Sequence, residues 1–316
     1  MSAITVSFII VNQLKISSIN FIIFPFDLMM IVFIAFFLPV FYLLMIREKR
    51  KKTNYDKNDK NKGDSNELPL KYDIYRKLAH LVVLTIILFY FTLGFLVKNF
   101  LVNILTTSYP WILEILNPIF ELEKEGLMIF TQYLVVFLVG ISLIGLMTAD
   151  IVRILKPELY PLKPVNRILR EKEKESHMRF GPQISMAIGC FSIIILFGLF
   201  QPIGPLVICT TMTMAILSDI SSNLIGRVFG AHHIRDTRKT YEGLFAGIIT
   251  AYISGILILI LLRGYFIISI LGFFLIPLIG SLLIGSLDYL NLDIDDNLSY
   301  NVLVTTVLFF IAIFIA

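Results

Sequence analysis

Charge and cysteine are both scarce in this 316-residue chain: 16% of its residues are charged and two are cysteine. Cys190 and Cys209 each sit inside an apolar run with no CxxC partner. That excludes a zinc ribbon, a dithiol redox motif and a disulfide scaffold, and leaves two membrane-buried thiols. The chain has no GxxxxGK[ST], no GxGxxG and no HExxH, so P-loop, dinucleotide-fingerprint and zincin chemistry are not written in it. It also lacks a GxSxG nucleophile elbow. No internal repeat of fixed period is evident, and neither are the inverted repeats with broken helices of transporters. The first basic residue is Lys15, and no short apolar run ends in a small-residue cleavage site. The first long apolar run is therefore expected to stay in the mature protein.

What fills the chain is hydrocarbon. Apolar residues make up 57% and mean hydropathy is +0.84, whereas soluble domains are nearer a quarter charged and less than half apolar. Crossing a bilayer core of about 30 Å takes roughly 20 apolar residues in a helix. Eight runs approach this: Phe21 to Ile46, Leu78 to Val97, Leu127 to Met147, Pro182 to Phe200, Ile203 to Ile225, Gly243 to Leu262, Tyr265 to Leu287 and Leu298 to Ala316. The expected fold is an all-α integral membrane protein of about eight transmembrane helices. No strand alternation is sustained, and the runs are too long for barrel strands. Ser2 to Val11 is apolar but too short to span, and is placed at the interface.

Lys and Arg fall unevenly between the runs: 11 in residues 47–77, 8 in 148–181 and 4 in 226–242, with only Lys15, Lys98, Lys124 and Arg263 elsewhere. Eight crossings put the three basic segments on one side, which the positive-inside tendency makes cytoplasmic, with both termini outside. Parity alone places the acidic segment 288–297 there too. Residues 47–71 are rich in Lys, Asn and Asp with little apolar content. They read as a disordered basic linker after an N-terminal span at 1–46, suited to anionic headgroups or serving as a topology signal.

Several polar residues sit where lipid is expected. The fifth run contains Asp219, and an acid at the centre of a membrane helix costs roughly 2.5–3.5 kcal/mol on insertion scales. Asp219, Ser222, Asn223 and Gly226 share a helical face. A glycine-bearing basic stretch follows: Gly226, Arg227, Gly230, Arg235, Arg238 and Lys239. Arg forks and the Lys point charge suit phosphate. Thr240 is placed to cap a helix opening at Tyr241 or Glu242. The same glycines, with Gly243 and Gly247, also fit close helix packing, and His232 and His233 read as surface residues. Before the second run, Arg76 and Lys77 share a face with His80, and an anion bound there would relieve cations at a helix start. Asp150 and Arg153 stand one turn apart after the third run, followed by Asn166, Arg167, Arg170 and Glu171. Asp295, Asp296 and Asn297 offer oxygen ligands for a hard cation such as Mg²⁺. A metal carboxylate, phosphate-binding cations and an acceptor at the membrane are the parts of a phosphoryl transfer.

Four segments in order resemble the polyprenol kinase family, which includes dolichol kinase, phytol kinase and CTP-dependent diacylglycerol kinase. Arg76-Lys77-Leu78-Ala79-His80 resembles RKxxH. Ala149-Asp150-Ile151-Val152-Arg153 with Leu169-Arg170-Glu171-Lys172-Glu173 resembles ADxxR…LREKE. Asp219 to Gly230 with Lys239-Thr240-Tyr241-Glu242-Gly243 resembles GDxxAxxxGRxFG…KKSxEG. Ser286-Leu287-Asp288 and Asp295-Asp296-Asn297-Leu298 resemble ESxD…DDNLxxP. The resemblance covers about residues 72–305 and implies a membrane-embedded lipid kinase domain over 72–316. It implies transfer of the γ-phosphate of CTP, or another nucleotide, to a long-chain alcohol, with Mg²⁺ or another divalent cation. Asp219, Lys239, Arg76 and Lys77 would be catalytic. Gly226, Arg227, Gly230, Arg238, Glu242, Arg153 and Arg170 would form the nucleotide- and phosphate-binding part, with Gly226 and Gly230 shaping the loop. Asp219, Asp295, Asp296 and Asn297 would serve the metal, with His80, Asp150, Asn223 and Asp288 as further candidates.

The chain departs from the family pattern at Ser218, Arg238, Thr240, Gly285 and Asn301, and Gly285 removes the acid of ESxD. Phosphatidate cytidylyltransferases and CDP-archaeol synthases share the membrane Asp and a KTxEG element, which gives an alternative that makes a CDP-lipid. A non-catalytic lipid-binding or assembly protein is the other alternative. The expected partners are a membrane lipid and a nucleotide, with no nucleic acid, and a homo-oligomer is left open. The expected location is a prokaryotic plasma membrane or a eukaryotic endoplasmic reticulum, with the site facing the cytoplasm.

Overall fold

The apolar runs form helices throughout a computed structural model. The structure describes residues 25–50, 80–122, 128–161, 182–235, 237, 239–266, 268–290, 298 and 300–315. In order they form α1 (Phe26–Arg50), a short 3-10 turn (Leu81–Leu84), α2 (Thr85–Phe91), α3 (Leu93–Ser108), α4 (Pro110–Phe120) and α5 (Ile129–Leu155). Then come α6 (Pro182–Phe197), α7 (Ile203–Phe229), α8 (Tyr241–Leu262), α9 (Ile270–Leu290), a π-helical turn (Tyr300–Val304) and α10 (Thr305–Ile315). Among the described residues there is no strand, only an isolated antiparallel bridge between His233 and Thr240. The chain is an all-α, multi-pass membrane protein. Six of its described helical segments are long and apolar enough to cross a bilayer.

The structure redraws several boundaries. The second run continues past Val97 to Ser108 as one apolar segment from Leu81. The helix begun by the fifth run extends through Gly226 and Arg227 to Phe229, so those two residues belong to a helix end rather than a loop. The seventh run becomes helical only at Ile270, and its helix carries Asp288 to its last turn. Two of the eight runs form shorter apolar helices, Ile184–Phe197 and Tyr300–Ile315. The whole of α6, 16 residues, rises only about 24 Å, less than a hydrocarbon core of about 30 Å. Helix α4 has no counterpart in the run pattern.

Helix α7 is the axis. Of its most apolar 18-residue window 78% is buried, against 6% for α1. That position explains how it keeps Thr210, Thr211, Thr213 and Ser218 out of lipid, since polar groups in a membrane helix face the bundle interior. Its main partner is α8, packed antiparallel through small residues. A Cβ on Gly243 would lie 2.6 Å from the Ser222 carbonyl oxygen, and one on Gly247 would lie 3.0 Å from Ser218 Oγ. Further along, Gly255 faces Met214. Small residues let helix backbones close up where lipid supplies no hydrophobic drive. Helices α5 and α6 are also antiparallel: Gln132 Nε2 donates to the Ile194 carbonyl at 2.8 Å, and Tyr90 donates to Gln132 Oε1.

Candidate functional site

The site lies at the C-terminal end of α7. Asp219, four turns into a buried helix, keeps one-fifth of its side chain exposed, and His80 Nδ1 stands 3.6 Å from its Oδ2. Both line a narrow cavity with Met186, Ala215, Ile216, Tyr300 and Asn301. The enclosed space holds about one water-sized group. Four elements meet here: the start of the second span, α6, α7 and the π-helical turn before α10. His80 and Asn301 are buried. The π-turn is a local widening of the helix, a feature often found at functional positions, and it brings two successive side chains, Tyr300 and Asn301, to the cavity.

A second group adjoins it through Tyr300. Lys239 Nζ donates to Asp288 Oδ1 at 2.8 Å and to the Asp288 carbonyl at 3.1 Å. The Tyr300 hydroxyl donates to the same Oδ1 at 2.9 Å. Lys239 therefore stands at the same end of the bundle as Asp219, held by an acid from the last turn of α9. Asp288 belongs to this network rather than to a loop beyond the seventh run.

The segment between α7 and α8 is folded by local chemistry. Thr240 has extended backbone and caps α8, accepting from the Gly243 N–H at 3.3 Å, as its position before an acidic first turn demands. Glu242 reaches back to His232, with Oε1 2.6 Å from Nδ1 and 3.2 Å from the backbone N–H. His232 is exposed at 79% of its side chain. A Cβ on Gly230 would meet the Gly226 carbonyl oxygen at 2.2 Å, and one on Gly226 would meet Thr240 Oγ1 at 3.1 Å. Gly226 and Gly230 thus make room for Thr240 and α8, which is the packing role their spacing allowed. Ser222 shares that face, while Asp219 turns to the cavity. Asn223 and Arg227 are partly buried and exposed, respectively, on the same helix end.

Asp150 and Arg153 pair with each other. Arg153 Nε donates to Oδ1 at 2.6 Å and Nη2 to Oδ2 at 3.2 Å, and both residues are buried. Phe41, Ala149 and Tyr160 form the apolar cluster around this end of α5. Burial pushes the Tyr160 phenol pKa up, with the Asp150 charge adding to the rise and Arg153 opposing it. Gly285 is also accounted for: its Cβ would lie 2.5 Å from Ile248 Cδ1. The position serves α8–α9 packing, and an acid there would have to displace Ile248.

Arg76, Lys77, Arg170, Arg238, Asp295, Asp296 and Asn297 lie outside the described residues, as does most of the linker at 47–71. Among the described residues no three His, Cys, Asp or Glu side chains gather as a metal cluster. Tyr300 and Asn301 were not singled out as site residues from sequence. Asn301 had a readable signal, an amide inside an otherwise apolar run. No protein-family model, curated protein or solved structure matches this chain.

Proposed function

We propose that the chain is a membrane lipid kinase that transfers the γ-phosphate of CTP, or another nucleoside triphosphate, to the hydroxyl of a long-chain lipid alcohol. The observation that carries this reading is the juxtaposition of two groups at one end of the bundle. One is a carboxylate–imidazole pair in a narrow cavity within the helices, and the other, beside it, is a lysine held by Asp288, to which Tyr300 also donates.

Each part has a chemical use. Lys239 supplies a point charge for a phosphate oxygen. The cavity is wide enough for a terminal hydroxyl, and its Met186, Ala215 and Ile216 walls suit the adjoining methylene. There the alcohol oxygen would form the new bond to phosphorus as the bridge to the β-phosphate breaks. His80 is a base placed to take the hydroxyl proton, and the nucleoside diphosphate leaves. A hard cation such as Mg²⁺ takes carboxylate oxygens and keeps waters and phosphates; it would be held at the exposed part of the Asp219 carboxylate, outside the cavity that has room for one group. Bound there, it would offset charge on the transferring group. Asp288 is engaged with Lys239 and Tyr300 and supports the lysine instead.

The test is an acceptor panel. Membranes containing the chain receive Mg²⁺, γ-labelled CTP or ATP and, separately, polyprenol, dolichol, phytol, diacylglycerol, archaeol or phosphatidate. The expected result is labelled lipid phosphate from one alcohol class, abolished by Asp219→Ala. No labelled lipid from any acceptor with either nucleotide would favour a lipid-binding or assembly protein.

A further inference from the structure

Helix α4 presents three distinct stripes. Leu113, Leu116 and Phe120 are buried and join the cluster formed by Phe26, Leu105, Phe130 and Tyr133. Trp111, Ile115 and Ile119, spaced i, i+4 and i+8, are exposed, at 62% for Trp111. Glu114 and Asn117, spaced i and i+3, form a polar edge between the two, and Glu121 ends the helix with left-handed backbone. A helix inside the hydrocarbon would not carry that edge, and one in water would not expose Trp111, Ile115 and Ile119 together.

The chain path fixes where the helix lies. His80 meets Asp219 at the site end of the bundle. The apolar segment that starts at the next residue breaks at Thr92 (φ −116°, ψ −70°), and by Tyr90 it has reached Gln132 in the first turn of α5. Gln132 also meets Ile194 near the end of α6, the helix whose Met186 lines the Asp219 cavity. The chain is then at the end of the bundle away from the site, and α3 stays there to Ser108, with Leu105 in the cluster of Phe130 and Tyr133. A break at Tyr109 follows (φ −142°, ψ 59°), and Pro110 opens α4, proline being suited to a first helical position. The next span begins at Ile129 from that same end.

We infer that α4 is an interfacial helix on the membrane face opposite the Asp219 site, and that the partner of its outer stripe is the headgroup and upper acyl region of the bilayer. Trp111 and Tyr109 are the anchors, since amphipathic rings settle at the membrane–water boundary. The polar edge faces water, and the inner stripe ties the helix to α3 and α5. The inference is independent of the proposed kinase activity. Continuity favours the bilayer over a second copy, because α4 follows directly on α3, whose Leu96, Val97 and Phe100 are exposed apolar residues of a membrane-length segment.

The chain supplies its own probe, because Trp111 is its only tryptophan. The full chain would be reconstituted in phosphatidylcholine vesicles carrying quenchers at shallow or deep positions on the acyl chain, with Trp111→Phe as the blank. The expected result is blue-shifted emission of which roughly half is lost to the shallow quencher and much less to the deep one, matching burial of about 5–10 Å. Acrylamide from the water should quench it weakly. Quenching by acrylamide with none from either lipid label would place α4 in water and overturn the inference. Protection from all three quenchers, lifted by dilution in detergent, would show a second copy on the stripe and overturn it equally. Glu114→Cys and Val228→Cys, against buried Cys190 and Cys209, test the sides. The inference requires an impermeant maleimide to label them from opposite faces, and labelling from one face contradicts it.

Discussion

Asp219 carries the charge that the site needs, and Asp219→Asn removes it with little change in volume. Loss of one preorganised electrostatic group typically costs about 10²–10³ in rate. The expected outcome is a fall of at least about 100-fold in lipid phosphorylation with the melting temperature of the purified protein nearly unchanged. Tyr300→Phe deletes one hydrogen bond to Asp288 and leaves the cavity wall in place. A bond of about 0.5–1.5 kcal/mol corresponds to a factor of about 2–10. The nucleotide KM should rise by that factor while the KM for the alcohol stays put, because only the Lys239 end is loosened. Asp219 and Lys239 were legible in sequence, since an acid in an apolar helix and a lysine before a capped helix are both anomalous. Tyr300 was not, since an aromatic near a span end is ordinary. Its role comes from the meeting of α9 with the π-turn, a long-range contact that no local pattern encodes.

At the scale of elements, glycine separates packing from chemistry. Gly243→Ala sets a methyl 2.6 Å from the Ser222 carbonyl oxygen, whereas Gly264→Ala meets nothing within 4 Å. The first should destabilise by about 1–3 kcal/mol, as overpacking does, and the second by less than about 0.5 kcal/mol. Thermal or denaturant unfolding in detergent would measure both. Gly285→Glu, which completes the ESxD pattern that this segment resembles, should push against Ile248 and lower stability without raising activity. Asp150→Ala strands Arg153 in a buried setting, and breaking such a pair typically costs about 3–5 kcal/mol. The long spans were legible because run length alone specifies a membrane helix. Helix α4 was not: at 11 residues it is too short for a span, and its inner, outer and polar stripes cannot be told apart until its neighbours are known.

Among the described residues, antiparallel pairing of α5 with α6 and of α7 with α8, and the meeting of His80 with Asp219, bring His80, the C-terminal end of α5 and the C-terminal end of α7 to one end of the bundle. That end holds Asp219, Lys239 and Asp288, while α4 lies at the other. The decisive experiment is a pair of reactions on membranes containing the chain, with Mg²⁺, the lipid panel and CTP labelled at either the γ- or the α-phosphate. A lipid kinase passes the γ label to an alcohol acceptor, leaves the α label in soluble nucleotide, and loses the transfer on Asp219→Ala. An α label found in lipid with pyrophosphate released would contradict the kinase reading and make the chain a cytidylyltransferase.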